Sequence, residues 1–348
     1  MKIGILTFHR THNYGAVLQC YALQRVLLGL GYDTWVINYV QPYIEQNNNI
    51  FYHLYNKFKN HPLKTIKALI RRLCSGDSFL NFRRKYLRLT KKCDAKTIPQ
   101  FFDCYIIGSD QLWSLECTGK IDSVFWGNFP HSSKSHIYGY AISGNGKSLE
   151  KLGSTTIKHY ISNFSILSLR EISLAQKIFN SIGYRSRIDI DPTLLTDSKI
   201  WDPLIKKSWK HRNYILVYQA RYLKGQASLL IEKARKLAQK EECGIIDLST
   251  YKYSPAEFVT AFKYAKCVVT SSFHGTAFAL IFNKQLCSVK LNDGHDARYV
   301  DLLNIIGADK FIFDWKEDLN IVELDYSNIN DQLHRYRQHS LKYLTNIK

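Results

Sequence analysis

Short apolar, β-branched runs alternate along this chain with longer stretches whose apolar residues recur at helical spacing. Residues 2–8 read as a buried strand, and residues 16–30 as a helix that stops at Gly31. Residues 34–39 and 104–107 read as the next strands, with further ones at 135–141, 166–168 and 186–190. A second series opens with strand 214–218. It continues through helix 225–242, strand 244–248, a helix opened by Ser254, strand 267–270, helix 276–282, strand 286–291 and helix 297–306. Ser254 stands three residues before Glu257 with Pro255 between them, a capping box with proline at the first helical position. This alternation predicts an α/β fold of two domains, each a parallel sheet covered on both faces. The polar, basic stretch 197–213 is read as the linker. The expected division is 1–200, 212–315 and a helical tail at 316–348.

Composition narrows the picture. Forty-eight Lys and Arg against 29 Asp and Glu leave a net charge of +19, a bias toward anionic partners. No apolar run approaches the roughly 20 residues of a membrane-spanning helix, and the first residues lack the pattern of a secretion signal. The eight cysteines are scattered without metal-ligand spacing, so reduced thiols, no metal and a cytoplasmic location are expected. Residues 51–92 form a basic insertion with twelve Lys or Arg and a single acid, Asp77. Within it, 63–73 has an apolar stripe opposite its cations. It reads as a solvated helix packed by that stripe, or as a peripheral contact with the inner face of an anionic membrane. The insertion lacks the strand-borne aromatics of an RNA reader, and no nucleic-acid partner is expected.

Chemistry concentrates where strands give way to helices. In Val268-Val269-Thr270-Ser271-Ser272-Phe273-His274-Gly275-Thr276, an apolar strand ends in hydroxyl residues before an apolar helix. Such a helix start favours an anion, with Ser271, Ser272 and Thr276 as added donors and His274 as a proton donor near neutral pH. The bland reading has Ser272 as a cap and His274 as a satisfied structural histidine. A second junction, residues 7–16, contains His12, Asn13, Tyr14 and Gly15, for which turn and capping chemistry is the alternative. At Gly108-Ser109-Asp110, Asp110 is a candidate base or else a helix cap. Arg170 after strand 166–168 suits an anion, or pairs with Glu171. Trp113 and Trp126 are candidates for sugar stacking, against a place in the core.

Taken together, these junctions resemble the polysaccharide pyruvyl transferase family. The matching segments are Asn13-Tyr14-Gly15-Ala16-Val17-Leu18-Gln19, Ile107 to Trp113, Leu167-Ser168-Leu169-Arg170-Glu171 and Thr270 to Thr276. Tyr140-Ala141-Ile142-Ser143-Gly144 and Asp191-Pro192-Thr193-Leu194-Leu195 also fall in the expected order. The resemblance implies two Rossmann-like domains in a GT-B-like arrangement, with ligands in the interdomain cleft. It implies transfer of the pyruvyl group of phosphoenolpyruvate, a co-substrate, onto two hydroxyls of a glycan or lipid-linked glycan acceptor, giving a cyclic ketal without a cofactor. His274 and Asp110 are then catalytic. Arg170, Ser271, Ser272, Gly275, Thr276 and Arg298 bind the donor. His12, Asn13, Tyr14, Gly15 and Trp113 bind the acceptor. The family's Arg-x-His pattern reads Ser272-Phe273-His274 here, so the histidine is kept and the arginine is not. Arg298 and, less strongly, Arg221 are the candidates to replace it. A nucleotide-sugar glycosyltransferase is the alternative, although no acidic residue placed for a ribose stands out.

Overall fold

The computed structural model describes residues 1–48, 77–221, 228–249, 253–322 and 325–347. They divide into two compact units, Met1–Leu195 with Ser340–Lys348, and Thr196–His339.

The first unit is built on eight strands among the described residues: β1 (Lys2–Leu6), β2 (Asp33–Tyr39), β3 (Leu89–Cys93), β4 (Cys104–Ile107), β5 (Asp110–Trp113), β6 (His136–Gly144), β7 (Ile166–Leu169) and β8 (Arg187–Ile188). Their order is β3-β2-β1-β4-β6-β7-β8, with β5 paired to the far end of β6, and the pairings are parallel. Ile3, Ile5, Ile106 and Ile107 are completely buried, as strands of a parallel sheet covered on both faces must be. From β1 the chain winds outward to β2 and β3, then returns to place β4 on the other side of β1. That reversal is a topological switch point, where loops at the carboxyl ends of the strands diverge and leave a crevice. Residues 7–13 and 108–109 are those loops.

The second unit repeats the plan with β9 (Tyr214–Tyr218), β10 (Gly244–Asp247), β11 (Cys267–Thr270), β12 (Gln285–Lys290) and β13 (Ile312–Asp314), all parallel, in the order β10-β9-β11-β12-β13. Its switch point lies between β9 and β11. The helix Pro255–Tyr264 opens with the capping box read from Ser254 and Glu257. Two parallel-sheet α/β units are thus present.

The structure refines three expectations. Residues 197–213 are not an open linker: Ser198–Leu204 and Lys207–Trp209 form tight helical turns. Trp201 is fully buried, its ring 4.8 Å from that of Phe278, and Lys206 N donates to Thr260 Oγ1 at 3.0 Å. A few large apolar residues among many lysines are enough to anchor such a segment. Second, the helical tail expected at 316–348 is present as one helix, Tyr326–Thr345, and its last residues belong with the first unit. There Ser340 Oγ accepts from Ile190 N at 3.1 Å and Tyr343 Oη donates to Gly139 O at 3.0 Å. Third, Asp110 opens strand β5 where a helix cap was the alternative. Of the basic insertion, helix Ser78–Tyr86 and β3 are described. Residues 49–76, including the stripe at 63–73, lie outside the described residues. Among the described residues no helix is long and apolar enough to cross a membrane, and the cysteines form no disulfide.

Candidate functional site

In the second unit, β11 ends at Thr270 and the helix Phe273–Ile281 begins three residues later. Ser272 has extended backbone and caps this helix, its Oγ accepting from Gly275 N at 3.5 Å. A Cβ at Gly275 would stand 2.1 Å from Thr270 Oγ1, so glycine is what lets the helix start sit directly on the strand end. Thr270 Oγ1 is itself held, donating to Tyr218 O at 2.6 Å and accepting from Ser272 N at 3.2 Å. His274 lies in the first turn, largely buried, with its ring edge-on to Phe273 at 5.2 Å. Ser271 is fully buried, and among the described residues its hydroxyl has no hydrogen-bond partner. The amide dipoles and orphan N–H groups of a helix start, a spare buried hydroxyl and an imidazole therefore meet at the switch point of this sheet.

Arg221, just beyond β9, reaches the same junction. Its Nη2 donates to Ser271 O at 3.4 Å, and its Nη1 donates to both oxygens of Asp293 at 2.5 Å. Asp296 lies 3.4 Å from Nη2, accepts from Asn292 N at 2.6 Å and also accepts from Tyr299 Oη. Burial and this carboxylate together push the Tyr299 hydroxyl well above its ordinary range, so it stays a donor. Asp293, Asp296 and Tyr299 were missed by sequence reasoning. The polar run Asn292-Asp293-Gly294-His295-Asp296 after a strand was the available signal. Arg298 is half-buried in the first turn of helix Ala297–Ile305, which packs on the helix carrying His274. Thr276 is buried, and its hydroxyl shares a hydrogen bond with Ser288 Oγ of β12 at 2.9 Å, a partner the sequence did not announce. Ser272 follows its bland reading, with its hydroxyl spent on the cap.

In the first unit, Arg170 is corrected as well. Its side chain is 4% exposed, with Nε donating to Glu171 Oε1 at 2.9 Å, Nη1 to Asp191 Oδ2 at 2.7 Å and Nη2 to Ser143 Oγ at 2.9 Å. Although burial works against its charge, Glu171 and Asp191 hold it firmly protonated. It ties the ends of β6, β7 and the 189–191 loop together, and two carboxylates already answer its charge. Next to it, Ser109 Oγ donates to Ala141 O at 2.6 Å, and Thr7 Oγ1 donates to Ser109 O at 2.9 Å. Gln19 Nε2 in turn donates to Thr7 Oγ1 at 2.7 Å. The Gly108-Ser109 peptide is cis, and Gly108 has φ +128°. A Cβ there would stand 2.0 Å from Tyr140 O. Asp110 and Ala141, neither of them glycine, have φ +85° and +45°. Such left-handed residues gather at functional edges, where their neighbours over-determine the backbone. Asp110, half-buried within the field of Arg170, is the carboxylate this edge presents.

The residues read as acceptor contacts separate. Asn13 caps helix Tyr14–Gly29 by accepting from Ala16 N, and Tyr14 and Gly15 are buried in its first turn. Tyr14 packs on Phe79 at 5.1 Å, and His12 Nε2 lies 3.1 Å from Asp77 Oδ2. Trp113 is corrected: it is 2% exposed, stacked flat on Trp126 at 3.9 Å, with Nε1 donating to Phe125 O at 2.9 Å. Both indoles are core, with no face left for a sugar.

His9, behind His12, is completely buried with Nδ1 3.1 Å from Thr7 O and Nε2 3.2 Å from Asn38 Oδ1. Burial, with help from Arg83 and Arg10, lowers its pKa to about 4. Unfolded, this imidazole takes a proton near pH 6.5; folded, it refuses one until about pH 4. The contribution of His9 to stability is therefore fully present above pH 6.5 and falls by about 3 kcal/mol on acidification toward pH 4. Urea midpoints at pH 7 and pH 4.5 check this: the His9→Gln variant should lose clearly less than the wild type between them. An equal loss in both would remove His9 as the cause.

A family model, polysaccharide pyruvyl transferase, matches residues 13–292. No curated relative matches the chain. Among solved structures, it is similar to UDP-GlcNAc 2-epimerase from Methanocaldococcus jannaschii, at 11% identity and TM-score 0.45, covering 100% of this chain and 94% of that one. The UDP-GlcNAc 2-epimerase of Neisseria meningitidis, bound to UDP-GlcNAc, gives 13% identity, TM-score 0.44 and coverage of 100% and 95%. ADP-heptose heptosyltransferase II of E. coli gives 10%, 0.36, 99% and 98%.

Proposed function

Since the chain belongs to the polysaccharide pyruvyl transferase family, and is thus a transferase acting on glycans, we propose that it moves the pyruvyl group of phosphoenolpyruvate onto two hydroxyls of a sugar in a surface-polysaccharide precursor, closing a cyclic ketal. The observation that carries this reading is the Ser271–His274 junction, where a helix start, a buried hydroxyl without a partner among the described residues and an imidazole converge. An enol phosphate carries a phosphate and a carboxylate for the helix start and the hydroxyl, and a methylene carbon that needs a proton.

In the reaction, His274 delivers a proton to the methylene carbon, leaving positive charge on the neighbouring carbon and its oxygen. The first sugar hydroxyl bonds to that carbon and gives up its proton. The C–O bond to phosphate then breaks with its electron pair on the phosphate, and the second hydroxyl closes the ring, its proton passing to the released phosphate. Asp110 is the base for a sugar hydroxyl, and Arg298 supplies the cation that the Ser272-Phe273-His274 pattern lacks. Arg221 orients Ser271 through its carbonyl. No cofactor enters this scheme. The acceptor sits on its carrier at the inner membrane face, with residues 51–92 as the peripheral contact and the enzyme in the cytoplasm.

Thermal unfolding with phosphoenolpyruvate, inorganic phosphate and UDP-sugars in parallel tests the donor. Phosphoenolpyruvate at 100 times its dissociation constant should stabilise the protein by about 2.7 kcal/mol. Phosphate at the same concentration should do markedly less. Stabilisation by a UDP-sugar and not by phosphoenolpyruvate would overturn the reading.

A further inference from the structure

Where β1, β2 and β3 end, a cavity of about 670 Å³ opens in the first unit. We propose that this cavity is a phosphate-ester site, which holds the phosphate or diphosphate through which the acceptor sugar is carried. The inference rests on the transferase reading for the identity of the acceptor, and on the cavity alone for its chemistry.

Arg10, Arg83, Arg84 and Lys92 line the cavity together with the carboxylates Glu45 and Asp77. Both carboxylates are already engaged. Arg10 grips Glu45 with two bonds, Nε to Oε1 at 2.6 Å and Nη2 to Oε2 at 2.9 Å. Asp77 accepts from Phe79 N and Leu80 N at the start of helix Ser78–Tyr86, each at 3.0 Å, and faces His12. Burial alone would raise its pKa, yet these bonds pull it well below the usual carboxylate range. The four permanent cations thus exceed the acids by two charges.

Arg83 makes the excess specific. It is 6% exposed, and among the described residues its guanidinium donates to His9 O at 3.4 Å. Burial and the neighbouring Arg10 disfavour its charge, and Asp77 and Glu45 offset this only in part, so its pKa stays below the ordinary arginine value. Holding a buried guanidinium beside a second one is expensive unless an anion answers both. Residues 49–76 cannot supply that anion wherever they lie, since they contain six Lys or Arg and no Asp or Glu. Glu45 and Asp77 are shared among the four cations of the lining, and an anion from outside the chain would answer the remaining two charges. Two charges in excess match a phosphate dianion, where one carboxylate would leave half unanswered. The planar fork of arginine suits phosphate oxygens, with Arg84 and Lys92 at the rim for a second phosphate. The volume lies in the range of small-ligand sites and leaves space for a sugar beyond the phosphate. The place, at the carboxyl ends of strands beside the switch point, is where an open parallel sheet binds ligands.

Calorimetric titration of the full chain with a hexose 1-phosphate, with pyrophosphate, and with a polyprenyl diphosphate sugar in detergent tests the site. An uncharged oligosaccharide serves as the reference. Binding of the phosphorylated probes should weaken at least about tenfold in the rim variant Arg84→Ala/Lys92→Ala and further in Arg83→Gln. Stabilisation by phosphoenolpyruvate should not change. Preference for the polyprenyl probe identifies a lipid carrier, and equal binding of the hexose phosphate identifies a soluble one. The rim variant keeps the test open should Arg83→Gln fail to fold. Unchanged affinity in the rim variant, or equally tight binding of the uncharged oligosaccharide, overturns the proposal. Phosphate-ester binding that depends on Arg84 and Lys92, in a protein that transfers no pyruvyl group, would uphold the site and remove the transferase reading.

Discussion

Replacing His274 by glutamine is expected to lower pyruvyl transfer about 10²- to 10⁴-fold while phosphoenolpyruvate still stabilises the protein. The amide retains the bulk and hydrogen-bonding capacity of the imidazole but has no proton to give at neutral pH. The helix start, Ser271 and the Thr270–Gly275 contact that shapes the junction are untouched by the change. Donor binding should therefore weaken only modestly, and the loss should appear in kcat and not in the thermal shift. Wild-type turnover in the variant would take His274 out of the mechanism. Loss of the phosphoenolpyruvate-dependent shift together with turnover would make it a binding residue.

The second large effect belongs to stability. Arg170→Leu leaves Glu171 and Asp191 buried, 6% and fully hidden at the side chain, without their cation. Breaking one side of such a buried pair costs about 3–5 kcal/mol, because the surviving charges stay desolvated. Chemical denaturation should show this as a fall in midpoint without a matching change in slope. Adding Asp191→Asn to the arginine variant removes one stranded charge and should restore part of the loss, so the two changes will not be additive. A loss below 1 kcal/mol would mean that water reaches this corner of the sheet and that Arg170 is available to a ligand after all.

The periodic features were legible in the sequence. Strands Cys104–Ile107, Tyr214–Tyr218 and Cys267–Thr270 are short apolar runs flanked by polar residues, and the Ser254 cap is a local pattern. What escaped depends on partners distant in sequence. Whether Arg170 is a ligand or a clamp turns on Asp191 and Ser143, and nothing near residue 170 announces the choice. Trp113 looks like a sugar platform until Trp126 is laid against it. Strand β5 was hidden because Asp110 enters it from a left-handed backbone conformation, which polarity does not encode. The Arg83 cavity joins residues from β1 to β3 across the long insertion, and a charge run seen along the chain gave no sign that part of it turns inward.

The last helix bears on how the molecule is made. Residues 340–348 complete the first unit by way of Ser340 and Tyr343, although that unit otherwise ends at Leu195. During synthesis, the half that leaves the ribosome first must wait for a piece encoded after the whole of the other half. Residues 196–339 can close on themselves as soon as they emerge. The first unit thus receives its last piece after the second has been synthesised, and until the final turn docks, the backbone at Ile190 and Gly139 is without the partners it has in the finished protein.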